Sequence, residues 1–267
     1  MKISAAISLL ALCIFVSCGR EEPSVGFDLS LGDDRTILDN QKLSLLSGVE
    51  GAEYEWSTGE KTASIQVDTS GTYWVRVTKD GIVKSDTIVL TLAYRLAKVE
   101  TSFGELVLWL HLETPGHKEA FLKLVNEGYF NDKDFNRVIN RFVIQAGCPD
   151  EPDGFKDTSL FIAPEFRRHL RHEFGALGGG RDNNPGKMTN ACQFYIVDEP
   201  RNRLDLNYLN MNYTIFGKVI SDLQVVQDIS KVETDKDDAP KERISITVTE
   251  VHFTAKELEE KFGFQVP

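Results

Sequence analysis

A period of two, written in short runs, constrains this chain more than any other feature. Phe135-Asn136-Arg137-Val138 is followed by Phe142-Val143-Ile144-Gln145, and far downstream Gln193-Phe194-Tyr195 is followed by Phe216-Gly217-Lys218-Val219. Successive side chains of a strand point to opposite faces, so each run predicts a strand in which large apolar groups alternate with hydrogen-bonding ones. Brought into one sheet, these runs place an arginine, two glutamines and aromatic rings on a common face. Such a face suits an extended peptide and offers it a charged donor.

At 267 residues the chain exceeds one domain of ordinary size, so two domains are expected. Its net charge of -11, from 30 Lys+Arg against 41 Asp+Glu, argues against nucleic acid as a partner, because phosphate binding needs clustered positive charge. The start reads as an export signal: Lys2 precedes an apolar run from Ala5 to Val16 that is too short to span a bilayer. It ends in Phe15-Val16-Ser17-Cys18-Gly19, which resembles a bacterial lipobox with Phe15 in the usual leucine place. That resemblance implies cleavage after residue 17, lipidation of Cys18 and attachment to a bacterial membrane, expected to be the outer one on its periplasmic or surface side. Residues 18–24 would then form a polar tether.

The next stretch is β-type sequence. Lys42 to Leu46, Tyr54 to Trp56, Ser64 to Val67, Thr72 to Val77 and Thr87 to Leu92 are alternating or β-branched runs separated by Gly, Asp and Ser. Asp80-Gly81 after the fourth run is a hairpin signal. An early Trp56 and a later Ser70-Gly71-Thr72-Tyr73, with no cysteine pair, make residues 25–93 resemble a small immunoglobulin-like or PKD-like sandwich, expected to act as a spacer. A boundary is expected near Ala93 to Lys98. Beyond it, a hairpin forms around Ser102-Phe103-Gly104, and Thr114-Pro115 opens a helix with Phe121, Leu124 and Val125 on one face and Gly128 past its end. Ser221-Asp222-Leu223-Gln224 reads as a capping box for a second helix, and Thr254 with Glu257 as one for a third. The acidic run from Glu233 to Asp238 reads as a solvated loop.

Taken in order, the Gly-centred hairpin, the Pro-opened helix ending in Glu127-Gly128-Tyr129-Phe130, then Phe-x-Arg-Val, Phe-x-x-Gln, Gln-Phe-Tyr-Ile and Ile-Phe-Gly-Lys-Val resemble the cyclophilin family of peptidyl-prolyl cis/trans isomerases over residues 97–253. The resemblance implies a mainly β fold, a closed antiparallel barrel of about eight strands with a helix over each end, leaving 254–267 as a helical extension. It implies that Arg137 is the catalytic arginine and that Phe142, Val143, Tyr195 and Leu209 wall a proline pocket. Gln145 and Gln193 fall beside the arginine, Gly180 and Arg181 where backbone meets the peptide, and Tyr208 and Tyr213 where the family usually has Trp and His. Asn136 replaces the family's histidine before the arginine, and Ala191-Cys192 replaces its Gly-Ser before the glutamine. On this template Cys148 and Cys192 lie on or beside adjacent strands, where they either pair or remain thiols.

The implied reaction explains the residue types. Rotation about an X-Pro bond breaks amide resonance, with a barrier of roughly 18 to 20 kcal/mol. A guanidinium aimed at the prolyl nitrogen bonds more strongly once the lone pair leaves conjugation, which favours the twisted state over either ground state. Arginine stays charged, and neighbouring amides such as Gln145 and Gln193 can brace its planar fork. No metal and no cofactor is called for. His169-x-x-His172 reads as a solvated helix face, Gly178-Gly179-Gly180-Arg181 lacks the Lys-Ser/Thr of a phosphate loop, and no hydrolase triad is evident. The expectation is a monomeric, lipid-anchored isomerase acting on proline-containing segments of exported proteins. A proline-peptide scaffold with little turnover, motivated by Asn136, Tyr208 and Tyr213, and an adhesin working through the N-terminal sandwich are the alternatives.

Overall fold

The computed structural model describes residues 26–151, 154–199 and 206–267, so the leader, the expected lipidation site Cys18 and the tether lie outside the described residues. Short strands β1 (Arg35–Leu38), β2 (Leu43–Leu46), β3 (Glu53–Trp56), β4 (Ser64–Val67) and β5 (Gly71–Lys79) lead into a 20-residue strand, β6 (Ile82–Thr101). Then follow β7 (Gly104–Leu110), helix α1 (Pro115–Asn126), β8 (Phe135–Ile139), β9 (Val143–Gly147), β10 (Phe161–Ile162), β11 (Ala176–Gly179) and β12 (Thr189–Asn190). The chain ends with β13 (Gln193–Val197), β14 (Ile215–Val219), helix α2 (Gln224–Ser230), β15 (Thr247–Thr254) and helix α3 (Ala255–Phe262).

The expected boundary at Ala93 to Lys98 is not a linker. Those residues lie inside β6, whose first half pairs with β5 and whose second half pairs with β7 and β15. Every residue from Ala93 to Lys98 pairs with β15, and none is a Gly or Pro that would interrupt the ladder. At the other end of β5, Asp80 and Gly81 both take positive φ, as a two-residue hairpin turn requires, and Lys79 pairs with Ile82. Strand β1, absent from the sequence expectation, adds in parallel to β6 from Arg35 opposite Leu90 to Leu38 opposite Ala93. The N-terminal part has its own core, in which Trp56, Val75, Val77, Ile88 and Leu90 are buried; Trp56 donates its indole N–H to Thr62 O at 2.8 Å.

The main sheet runs β3-β5-β6-β7-β14-β11-β13-β9-β8, with β15 also on β6. Its ladders do not form the closed barrel that was expected: the path ends at β8. Between β8 and β15 stand an isolated bridge of Asp134 with Ser245 and the backbone bonds Phe135 N–H to Ile244 O and Ile246 N–H to Lys133 O, each near 3 Å. One side of the sheet packs Leu106, Leu108 and Leu110 against α1, α2 and a cluster of Phe121, Phe130, Phe194 and Phe216. Strand β7 is buried on both faces because α3 covers its other side, where Leu258 and Phe264 pack on Val107 and Trp109.

Helix α1 begins at Pro115 as expected, proline being suited to the first turn, and Gly128 follows it with φ +71°. Helix α3 carries the expected capping box, Thr254 and Glu257 each accepting the other's backbone N–H. The box expected ahead of α2 does not form: Ser221 Oγ instead accepts Val107 N–H, and Asp222 accepts Gln224 N–H. A tertiary partner on β7 takes the serine away from its local role. Among the described residues, no helix is long and apolar enough to cross a membrane.

Candidate functional site

Strands β8 and β9 form a hairpin in which Arg137 lies opposite Gln145. Strand β13 pairs with the other edge of β9 and sets Tyr195 opposite Gln145 and Gln193 opposite Gly147. These three strands therefore present Arg137, Gln145, Gln193 and Tyr195 together, as their period predicts. Gly180 and Arg181 follow β11, and a turn holding Tyr208, Leu209 and Tyr213 closes the opposite side. All these residues, with Phe142 and Val143, line one pocket of about 280 Å³. Every site position expected from the sequence, apart from the lipidation cysteine, meets there.

The pocket is graded in burial. Val143, Gln145, Gln193, Tyr195 and Leu209 are buried, Phe142 and Tyr213 are half-buried, and Tyr208 is 63% exposed at the rim. Close approach requires two of the glycines: a Cβ on Gly180 would lie 2.1 Å from Gln193 Oε1, and one on Gly178 would lie 2.2 Å from the Tyr195 ring. The Arg137 side chain is 34% exposed, and its Nη2 stands 3.5 Å from Oδ2 of the half-buried Asp238, a long, solvent-accessible ion pair. Arg181 closes the far side, its guanidinium 4.5 Å from the Tyr213 ring centroid and its Nε–H donated to Asn212 O at 2.9 Å.

The glutamines do not brace the arginine fork as anticipated. Gln193 donates Nε2–H to Asp150 Oδ1 at 2.8 Å and to Cys148 O at 3.0 Å, and Gln145 donates to the same Asp150 oxygen at 3.3 Å. A carboxylate is the stronger acceptor for an amide donor, and a guanidinium, which only donates, leaves the glutamine N–H groups nothing to bond. Asp150 was not singled out in the sequence; an Asp three residues beyond a strand gives no local signal. Asn136, in place of the family's histidine, donates Nδ2–H to Gly147 O at 2.9 Å and so ties β8 to the end of β9. Cys148 and Cys192 form a disulfide with Cα atoms 5.4 Å apart, directly beneath Gln193.

The histidine pair also departs from expectation. His169 is exposed and faces Glu113, 2.9 Å away, but His172 is buried and lies on no helix. Its ring meets the Tyr195 hydroxyl at 2.8 Å on one side and Asn210 Oδ1 at 2.9 Å on the other. Burial lowers the His172 pKa and raises that of Tyr195 well above its ordinary value, which favours the neutral form of each. The acidic loop is likewise not wholly solvated, since it supplies Asp238 to Arg137 and accepts Val138 N–H at the Asp238 carbonyl.

Fold and pocket together define a mainly β protein with an apolar notch flanked by an arginine and by amides. The family described as cyclophilin type peptidyl-prolyl cis-trans isomerase/CLD matches residues 96–251. The isomerase ppi1 of Schizosaccharomyces pombe is 34% identical over 152 residues, 56% of this chain and 94% of that protein. Isomerase B of Bacillus subtilis is 37% identical over 124 residues, 46% of this chain and 80% of its own length. A Cryptosporidium parvum cyclophilin-type isomerase, solved in the presence of the dipeptide Ala-Pro, is 26% identical with a TM-score of 0.51, covering 58% of this chain and 97% of that one. The chain belongs to the cyclophilin-type peptidyl-prolyl cis-trans isomerases, with the family's mainly β fold and few helices.

Proposed function

We propose that Arg137 is the catalytic donor of this isomerase and that the notch formed by Phe142, Val143, Tyr195 and Leu209 receives the proline ring. The observation that carries this reading is the convergence of Arg137 and those four side chains on one pocket of about 280 Å³. The ring is desolvated against apolar walls while the guanidinium approaches the prolyl nitrogen as its lone pair becomes basic. That bond forms fully only in the twisted state, so it lowers the barrier rather than merely binding substrate. The ion pair with Asp238 is long and solvent-accessible and engages one Nη2, so the guanidinium's other N–H groups can reach the prolyl nitrogen. Gln145 and Gln193, held in place by Asp150, line the pocket beside the arginine, and Gly180 and Arg181 line the peptide's path.

The clients are proline-containing segments of exported proteins, and the mature chain is anchored through lipidated Cys18, with the N-terminal Ig-like part as a spacer. The Cys148–Cys192 disulfide supports an oxidising compartment, since such bonds persist outside the reducing cytosol. The leader sequence supports the same placement. A protease-coupled assay on a proline tetrapeptide tests the mechanism. One charge-assisted hydrogen bond is worth roughly 1.5 to 3 kcal/mol, so Arg137→Ala lowers kcat/KM by about ten- to a hundredfold. An unchanged rate would remove Arg137 from the mechanism, and a wild-type rate no higher than the uncatalysed one would leave only a peptide-binding scaffold.

A further inference from the structure

The hydroxyl of Tyr195 is not needed to make an apolar pocket floor, yet the fold provides a buried partner for it. The hydrogen-bond directions at that partner follow from one backbone group. His172 N–H can only donate, and it faces the side-chain oxygen of Asn210 at 3.0 Å, which identifies that atom as the acceptor Oδ1. The His172 Nδ1 that meets the same oxygen at 2.9 Å must therefore carry the ring proton. In a neutral imidazole Nε2 is then bare, so the Tyr195 hydroxyl, 2.8 Å away, donates to it. Burial keeps the imidazole in that neutral form.

The chain Tyr195 to His172 to Asn210 joins two walls of the pocket that are not neighbours in the sheet. Tyr195 comes from β13, whereas Asn210 sits between Leu209 and Tyr213 in the turn opposite. Asn210 continues to Asn207 through its Nδ2–H at 3.3 Å, still within that turn. The rings of His172 and Tyr195 lie nearly parallel, at 14°, and Tyr213 meets Tyr195 edge-on at 81°. Gly178 completes the seat by leaving space where a Cβ would strike the tyrosine ring.

We propose that His172 and Asn210 are positioning residues of the isomerase, which fix the Tyr195 floor and the Leu209–Tyr213 wall at the separation that grips a proline ring. The proposal rests on the reading that proline enters this pocket. It places His172 out of reach of the reacting amide: its effect passes through the tyrosine hydroxyl and is felt in peptide binding, while the Arg137 step is untouched.

Steady-state isomerisation of a proline tetrapeptide by the full chain tests it, with His172→Ala, Tyr195→Phe, their double variant, His172→Gln and a pocket-wall control, Phe142→Ala. Loss of the Tyr195–His172 hydrogen bond predicts a rise in KM of about five- to tenfold for Tyr195→Phe and at least as much for His172→Ala, which also removes the bond to Asn210, with kcat within about twofold of wild type in each. The double variant should be no worse than His172→Ala. Glutamine, which retains one acceptor and one donor, should recover most of the loss. Multiplying effects in the double variant, a fall in kcat at unchanged KM, or no effect at all would overturn the proposal. Should His172→Ala fail to fold, Tyr195→Phe with Asn210→Ala gives the same cycle with the same outcomes. If Phe142→Ala raises KM and His172→Ala does not, the positioning role alone falls. If Phe142→Ala leaves KM unchanged, the proline pocket and the positioning role fall together.

Discussion

Removal of a single carboxylate far from the pocket should unsettle the whole molecule. Lys118 of α1 and Asp39, just past β1, pair with side chains only 4% and 3% exposed. Asp39 Oδ1 has no further hydrogen-bond partner among the described residues, and its Oδ2 also lies 3.4 Å from Arg95 N–H. Asp39→Ala strands the Lys118 ammonium in a dry site, and breaking a buried pair from one side costs about 3 to 5 kcal/mol. For a chain of this size that corresponds to a drop in Tm of roughly 6 to 20 °C. Urea unfolding followed by tryptophan fluorescence reads it in both parts at once, because Trp56 is buried in the N-terminal core and Trp109 beneath α3. The pair joins residues on either side of the point where β6 passes from one core to the other, so both signals should move together. Asp39→Leu combined with Lys118→Met removes both charges and should recover most of the loss. A cost below about 1 kcal/mol for Asp39→Ala, or a double variant equal to the sum of its singles, would show that Lys118 reaches water and that the reasoning is wrong.

Acid should release a second junction contact. Burial works to raise the Glu250 carboxyl, but hydrogen bonds from Arg95, His252 and Asn126 outweigh it and hold its pKa at about 2, against an ordinary 4.5. Its contribution is fully present above the unfolded value and is lost as pH falls through the folded one. Stability should therefore decline between about pH 4.5 and 2, and Glu250→Gln should flatten that part of the pH–Tm curve. For the disulfide, thiol titration of the denatured protein without reductant should find no free Cys148 or Cys192. Cys192→Ala should lower stability by about 2 to 4 kcal/mol, since the bond closes a long loop in the unfolded chain.

How far the sequence alone carries depends on the range of the interaction. Period-two patterning is a local property, and it placed Arg137, Gln145, Gln193 and Tyr195 on strands whose faces coincide. Thr254 and Glu257 cap α3 because both ends of that contact lie within one helical turn. The same local logic failed at Ser221, which β7 recruits from 114 residues away. It failed again at His172, where an i, i+3 spacing reads as a polar helix face, yet no helix forms and the ring is buried against Tyr195.

Sequence by itself determined the strand faces, the order of the family motifs and so the set of side chains that meet in the pocket. Tertiary structure alone decided that Asp150 would take the glutamine donors, that Asp238 would stand beside Arg137, and that Arg95 would reach Glu250 across 155 residues. It also decided that the two parts share one unbroken strand. The physical reason is that a residue's facing direction follows from its own backbone, whereas the partner of a buried polar group is set by which distant atoms the packed chain leaves within 3 Å.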